Sequence, residues 1–301
     1  MKKMFAVLLA LVLALSLSAC VQVQTSPDAD QKGEEAQDSG ESAAIPGLED
    51  GVLTIAMECA YAPYNWTQYD DSNGAVPIKD ANGEYANGYD VMIAKKICEA
   101  NGWELEVIRS DWDSLVPGVQ TGLFDAVIAG QSMTTERSEQ VDFAGPYYYA
   151  TIVCLTKKGS AFENAKGLKD LAGGTCTSQI ATIWYDDMLP QITDAKIQPA
   201  AETAPAMLMA LETGAVDFVC TDMPTAMAAC IAYDDMVLLD FAGSGDDFDA
   251  DEGEINIGIS VKKGNTALVD AINDVVLKMS VDDFNQILDS AIAIQPLSEE
   301  D

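Results

Sequence analysis

A chain of two α/β lobes is the fold class that this sequence predicts, and three observations carry the prediction. From Gly51 onward short apolar runs alternate with segments of helical periodicity. The pattern restarts near Ala150. Each half also carries a helix, a Thr-Gly pair and a buried strand, as TGLFDAVIAG (121–130) and TGAVDFVCTD (213–222). Strands alternating with helices argue for mostly parallel sheets flanked by helices, and 301 residues can bury one large or two modest cores.

Each element has its own reason. VLTIAM (52–57) is an apolar run of strand length, and ANGYDVMIAKKICEANG (86–102) reads as a turn, a helix and a terminating glycine. WELEVIRS (103–110) alternates as a strand does, DSLVPGVQTG (113–122) is a short helix ending in glycine, and FDAVIAG (124–130) is a buried strand. In the second half ATIVCLTKKG (150–159) is a strand, and GLKDLAGGTCTSQ (167–179) gives a short helix and a strand. ATIWYDDML (181–189) reads as a helix, AKIQPA (195–200) as a strand, 201–214 as a helix, AVDFVCTD as a buried strand and 223–233 as a helix. The chain closes with a strand in 254–264 and two helices, NTALVDAINDVVLKMS and VDDFNQILDSAI, which return to the first lobe.

Composition narrows the function. Asp and Glu number 49 against 16 Lys and Arg, a formal charge of −33, which repels nucleic acid and anionic lipid head groups. Histidine is absent and no cysteine pair has a CxxC spacing, so neither a metal site nor a cofactor is expected. Asp247, Asp249 and Asp251 have the 1-3-5 spacing of a calcium loop, but Glu252 stands where glycine is needed and Gly258 where glutamate is needed. An acidic surface loop fits that stretch better. Beyond Cys20 there are six cysteines at wide spacing, several in apolar contexts, and mostly free thiols are expected.

The first residues read as an exported leader. Met1-Lys2-Lys3 is basic and Met4 to Leu17 is apolar, too short to span a bilayer. It ends Leu17-Ser18-Ala19-Cys20, which resembles the lipobox of bacterial lipoproteins. That resemblance implies a signal peptide over 1–19, a lipid anchor on Cys20 and a location on the outer face of the cell membrane. Residues 20–50 are polar and acidic, a composition that cannot offset chain entropy by burial, and read as a flexible tether.

The central stretch SDWDSLVPGVQTGLFDAVIAGQSMTTERSEQVDFAGPYY carries a resemblance, together with AMECAYAPYNW, NGYDVMIAKKI and VDFVCTDMPTA. Over residues 51–294 the chain is similar to the family 3 solute-binding proteins, the polar amino-acid receptors of ABC importers. The resemblance implies a type II periplasmic-binding-protein fold: lobe one over 51–150, lobe two over 151–241, a return to lobe one over 242–301, and a two-strand hinge near Thr151 and Asp240. It implies a monomer that binds a free L-amino acid between its lobes and docks on a permease with its ATPase.

The chemistry can be stated apart from the family. A free amino acid carries a carboxylate and an ammonium at fixed separation. Its receptor needs a guanidinium with further donors at one end and a carboxylate at the other, because charge-assisted hydrogen bonds are worth roughly 1.5–3 kcal/mol each. Arg109 and Arg137 are the chain's two arginines. Arg137 follows a predicted strand by a few residues, and ligands collect past strand ends in open α/β sheets. By resemblance Ala129, Gly130, Ser132 and Arg137 hold the α-carboxylate, with the glycine leaving its N–H open to approach. Asp222 takes the α-ammonium and also suits a helix N-cap before Met223-Pro224.

Glu58, Tyr61 and Trp112 line the side-chain pocket by the same resemblance, with Gln131 and Trp66 at its rim. The family's Gly-Thr/Ser-Thr turn in lobe two is here Ala181-Thr182-Ile183, so Thr182 is the remaining donor there. Relatives of this fold include dehydratases, but without histidine no Ser-His or Cys-His pair exists, and Cys59 has only Glu58 beside it. No enzyme is expected. A sensory receptor is the other alternative; the sequence shows no signalling module.

Overall fold

The computed structural model of the chain describes residues 45–296. The predicted leader, Cys20 and the tether up to residue 44 lie outside the described residues, as does the stretch beyond 296. Lobe one begins with β1 (Val52–Met57) and a small antiparallel sheet of β2 (Ala60–Tyr61), β3 (Asn65–Gln68), β4 (Val76–Pro77) and β5 (Tyr85–Asn87), in the order β2-β3-β5-β4. It continues through α1 (Tyr89–Asn101), β6 (Glu104–Arg109), α2 (Leu115–Thr121), β7 (Ala126–Val127), α3 (Thr135–Gln140) and β8 (Val141–Tyr148). Lobe two holds β9 (Ile152–Lys157), β10 (Thr175–Thr177), β11 (Lys196–Ile197), α4 (Ala204–Glu212), β12 (Phe218–Asp222), α5 (Met223–Ala232) and β13 (Met236–Leu239). The chain then forms α6 (Glu252–Ile255), β14 (Ile257–Lys262), α7 (Thr266–Val276) and α8 (Val281–Ile294), with β14 joining the first sheet.

The two large sheets share one plan. The first runs β6-β1-β7-β14-β8 and the second β11-β10-β12-β9-β13. In each, four strands point one way; β14 and β9 are reversed. Each reversed strand is the first that the chain builds after crossing from the other lobe: β9 follows β8 directly, and β14 follows the single-turn α6. The sequence also missed β8 and β13. Pro146 inside β8 removes a ladder donor and weakens the strand signal, and β8 is accordingly an edge strand. Residues 181–189, expected as a helix, form a π-helical turn over Trp184–Met188 that passes into a 3₁₀ turn at Leu189–Gln191. The glycine stops of α1 and α2 are present as left-handed caps, Gly102 at φ 71° and Gly122 at φ 77°.

Apolar residues of β1, β7 and β14, such as Ile55, Val127 and Ile259, are buried against α1, α2 and α7, and Val153, Leu155 and Val219 fill lobe two against α4 and α5. The six cysteines among the described residues are free thiols. Cys154 and Cys220 oppose each other across β9 and β12 with no exposed surface, and burial pushes the Cys176 thiol on neighbouring β10 up to about 12. These three behave as small core hydrophobes.

The sequence echo has a structural counterpart. Asp125, just before β7, accepts from the Thr54 N–H at 2.9 Å, while its own N–H donates to the Thr54 carbonyl at 2.9 Å. Asp217, just before β12, does the same with Thr175, at 2.8 and 2.7 Å. Each aspartate fastens the central strand of its sheet to the neighbouring strand. Replacing either by alanine leaves a strand N–H without its carboxylate partner, a loss of about 1–3 kcal/mol. Thermal melts of Asp125→Ala and Asp217→Ala should each fall by several degrees. The losses should add in the double variant, because the sites share no partner.

Candidate ligand-binding cleft

The C-terminal ends of β1, β7 and β12 supply most of the predicted site. Asp222 is the last residue of β12 and the N-cap of α5, and its Oδ1 accepts from the Thr225 N–H at 3.0 Å. Its Oδ2 accepts from two phenols of lobe one, Tyr64 at 2.9 Å and Tyr61 at 3.3 Å. The rings of Tyr61 and Tyr64 stack with centroids 5.0 Å apart, and Thr225 Oγ1 donates to the Tyr61 hydroxyl at 3.1 Å. The carboxylate has no exposed surface and forms no ion pair among the described residues. Burial therefore raises its pKa against the lowering effect of its hydrogen bonds from Thr225, Tyr64 and Tyr61.

Arg137 lies in the first turn of α3, whose N-cap Thr134 accepts from the Arg137 N–H at 3.1 Å. Its guanidinium donates to the Ser132 carbonyl of lobe one and to the Ala181 carbonyl of lobe two, both at 2.8 Å, and lies 5.3 Å over the Trp112 ring. No carboxylate pairs with it among the described residues, despite the excess of acid. Desolvation lowers its pKa to about 10, so it stays cationic at neutral pH.

Glu58, one residue past β1, is buried. Both carboxylate oxygens lie 3.3 Å from Gln179 Nε2 of lobe two. Burial pushes its pKa up to about 7, and Asp111 adds to the rise while Gln179 opposes it. Ala129 is buried at the end of the β7 segment, and Ser132, also buried, offers its carbonyl to Arg137.

Two expected ligand donors have partners within the protein. Gly130 was expected to present its N–H to a ligand, but that N–H donates to the Tyr147 hydroxyl at 3.0 Å inside lobe one. Its glycine identity answers another need: φ is 64°, and a Cβ would stand 2.8 Å from Tyr61 Cε1. Thr182 was expected to donate to a ligand, but its hydroxyl donates to the Gln179 carbonyl at 2.7 Å and closes its own turn. Of the predicted rim residues, Gln131 Oε1 accepts from Ser260 within lobe one, and Trp66 donates to Gln68 and lines an apolar groove with Cys59 and Leu208. Tyr64, Gln179 and Thr225 escaped the sequence reading. The aromatic pair flanking Pro63 was the available signal for Tyr64.

Trp112 stands between two clefts. One, of about 460 Å³, is lined by Arg137, Gln131, Thr182 and Asp186. The other, of about 700 Å³, is lined by Glu58, Asp111, Asp113 and Glu202 with Ile180. Arg109 lies in the second cleft but is paired with Glu84, so carboxylates set its charge. Both clefts take residues from both lobes, with polar groups around an aromatic wall, the form of a small-molecule site.

Residues 53–291 match the family model of the bacterial extracellular solute-binding proteins, family 3, and the chain belongs to that family. It is 29% identical over 280 residues to the probable histidine-binding protein of Neisseria gonorrhoeae, covering 93% of this chain and 91% of that one. It is 25% identical over 240 residues to the L-cystine-binding protein TcyJ of Escherichia coli K12, covering 80% and 82%. Among solved structures it resembles an ancestral arginine-binding protein bound to arginine, with 28% identity and a TM-score of 0.62 over 80% of this chain and 97% of that one. The two-lobed type II fold expected from the sequence is the fold of such neighbours.

Two outcomes follow from this geometry. Ala181 has φ 54°, where a Cβ costs about 1–2 kcal/mol, partly offset by the extra freedom glycine gives the unfolded chain. Ala181→Gly should therefore stabilise the protein by up to about 1 kcal/mol in denaturant titration. Glu58 and Asp90 have pKa values raised to about 7, and Asp222 is raised as well. Carboxyls raised above their unfolded values bind protons more tightly in the folded state, so their contribution to stability falls as pH rises from about 4 through 7. The ligand-free melting point should be higher at pH 5 than at pH 8.

Proposed function

We propose that this protein is an extracytoplasmic receptor that closes two lobes on a free L-amino acid with a cationic side chain and delivers it to an ABC importer permease. One observation carries the reading. Arg137 and Asp222 sit on opposite lobes as oppositely charged groups, each satisfied by neutral atoms alone among the described residues. A zwitterion supplies what both lack: its α-carboxylate replaces the carbonyls on the guanidinium, and its α-ammonium replaces the phenols on Asp222. The side chain then extends past Trp112 toward Glu58, Asp111, Asp113 and Glu202, where a cation is favoured. Relatives named for histidine and arginine support that choice.

Opening and closing would divide the chain into lobe one over 51–150, lobe two over 151–241 and the return over 242–301, with bending where it crosses near Thr151 and Asp240. We also infer that Cys20 carries a lipid anchor to the outer face of the membrane and that the receptor acts as a monomer. Ligand leaves unchanged, since this reading gives no residue a catalytic role.

Calorimetry against L-arginine, L-lysine, L-ornithine, L-histidine, L-glutamine and L-cystine tests the class. A basic amino acid should bind tightest; binding of none, or release of a converted product, would overturn the reading. Arg137→Ala removes two charge-assisted bonds, about 3 kcal/mol or more, and should weaken every ligand by at least about 100-fold. Because Glu58 ionises near pH 7, a cationic ligand must displace its proton below that pH. Affinity should therefore rise about tenfold between pH 6 and 8, and Glu58→Gln should flatten the profile.

A further inference from the structure

Behind the cleft lies a buried polar network that the proposed ligand contacts do not use. Asp90 is the second residue of α1 and has no exposed surface. Its Oδ1 accepts from the Tyr147 hydroxyl at 2.6 Å and its Oδ2 from Asn65 Nδ2 at 2.8 Å. Tyr147 and Asn65 are equally buried, and each passes the contact on. The Tyr147 oxygen accepts from the Gly130 N–H at 3.0 Å, and Asn65 Oδ1 accepts from the Cys59 N–H at 2.8 Å.

The two backbone groups reached in this way share an unusual conformation. Cys59 has φ 56° and Gly130 has φ 64°, so each is left-handed. Cys59 immediately follows Glu58 at the end of β1. Gly130 follows Ala129 at the end of the β7 segment and opens the loop that leads through Ser132 to Arg137. A left-handed non-glycine residue persists only where its surroundings hold it.

The seat of Asp90 is itself fixed. The Asp90 N–H donates to the Tyr64 carbonyl at 2.8 Å and the Tyr89 N–H to the Pro63 carbonyl at 3.0 Å, so the start of α1 rests on the loop that carries Tyr61 and Tyr64. The carboxylate has no cation beside it. Burial raises its pKa to about 7, and Tyr147, Asn65 and the Gly130 backbone pull it down while Asp222 pushes it up. Such a group is costly as packing alone, since an apolar residue could fill the space without desolvating a charge.

We propose that Asp90 is a positioning residue for ligand binding: through Tyr147 and Asn65 it clamps the Gly130 and Cys59 N–H groups, and with them the strand ends that carry the Arg137 loop and Glu58. The consequence for affinity rests on the amino-acid-receptor reading above; the clamp itself does not.

Two readouts on the full chain test it. The first is amide hydrogen exchange of the ligand-free protein. Asp90→Asn should lower protection of both Gly130 and Cys59 by about tenfold or more relative to Ile55 in β1. Tyr147→Phe, which keeps its ring stacked on Tyr89, should release Gly130 and spare Cys59. The second is the dissociation constant of the amino acid found by calorimetry. It should rise about tenfold or more in each variant, and the double variant should bind no more weakly than the worse single one, as expected of a single chain of contacts.

Unchanged protection at Gly130 and Cys59, or affinities within twofold of the parent in both folded variants, would overturn the proposal. So would a uniform loss of protection across lobe one, which would mark a role in stability alone. Should Asp90→Asn fail to fold, Tyr147→Phe decides through its selective effect. If the parent binds no amino acid, the functional reading fails and hydrogen exchange still decides the clamp.

Discussion

A carboxylate stripped of water must find donors, and Asp222 finds them on both sides of the cleft. Its own helix offers the Thr225 N–H, and lobe one offers the phenols of Tyr61 and Tyr64. Much of the architecture serves that constraint. β12 lies at the centre of its sheet and delivers the residue to the junction of the lobes, α5 starts there and is capped by it, and the small sheet of lobe one brings the tyrosines across. Neutral donors satisfy the buried charge without cancelling it. The contact between lobes is therefore one that a ligand cation can replace.

The two lobes are variations on one plan, and their difference makes a receptor. Asp125 and Asp217 fasten the same strand to the same neighbour in each sheet. Five residues further on the plans part, at Gly130 in lobe one and Asp222 in lobe two. The glycine leaves room for Tyr61 and turns the chain toward Arg137; the aspartate supplies the anion. Equivalent strand ends thus lead to opposite charges, Arg137 a short loop beyond the first and Asp222 at the second, a pairing that suits a zwitterion better than a simple ion.

Arg137 and Asp222 stand out in the sequence because few residue types carry their charges at such places: one of two arginines past a strand, and an aspartate before Met-Pro; Trp112 was singled out by the family resemblance. Gly130 and Thr182 show what sequence leaves open. Sequence gives the donor and not its direction, and both donors are spent inside their own lobes, on Tyr147 and on the Gln179 carbonyl. Gln179 could not be foreseen. An amide beside a strand has no signature, and its partner Glu58 lies 121 residues away.

The sequence alone determined the two-lobed α/β class, the family and the order of most elements, and it singled out Arg137 and Asp222 as candidates for the charged ends of the site. Period, glycine stops and scarce cations are local signals, and they survive without a structure. Tertiary structure decided the rest: the reversal of β9 and β14, the edge strands β8 and β13, the π turn after Thr182, and the network from Asp90 to Gly130 and Cys59. Each of these depends on which groups meet across long sequence separations and which way their hydrogen bonds point. That information resides in the packing of the lobes and in no single stretch of the chain.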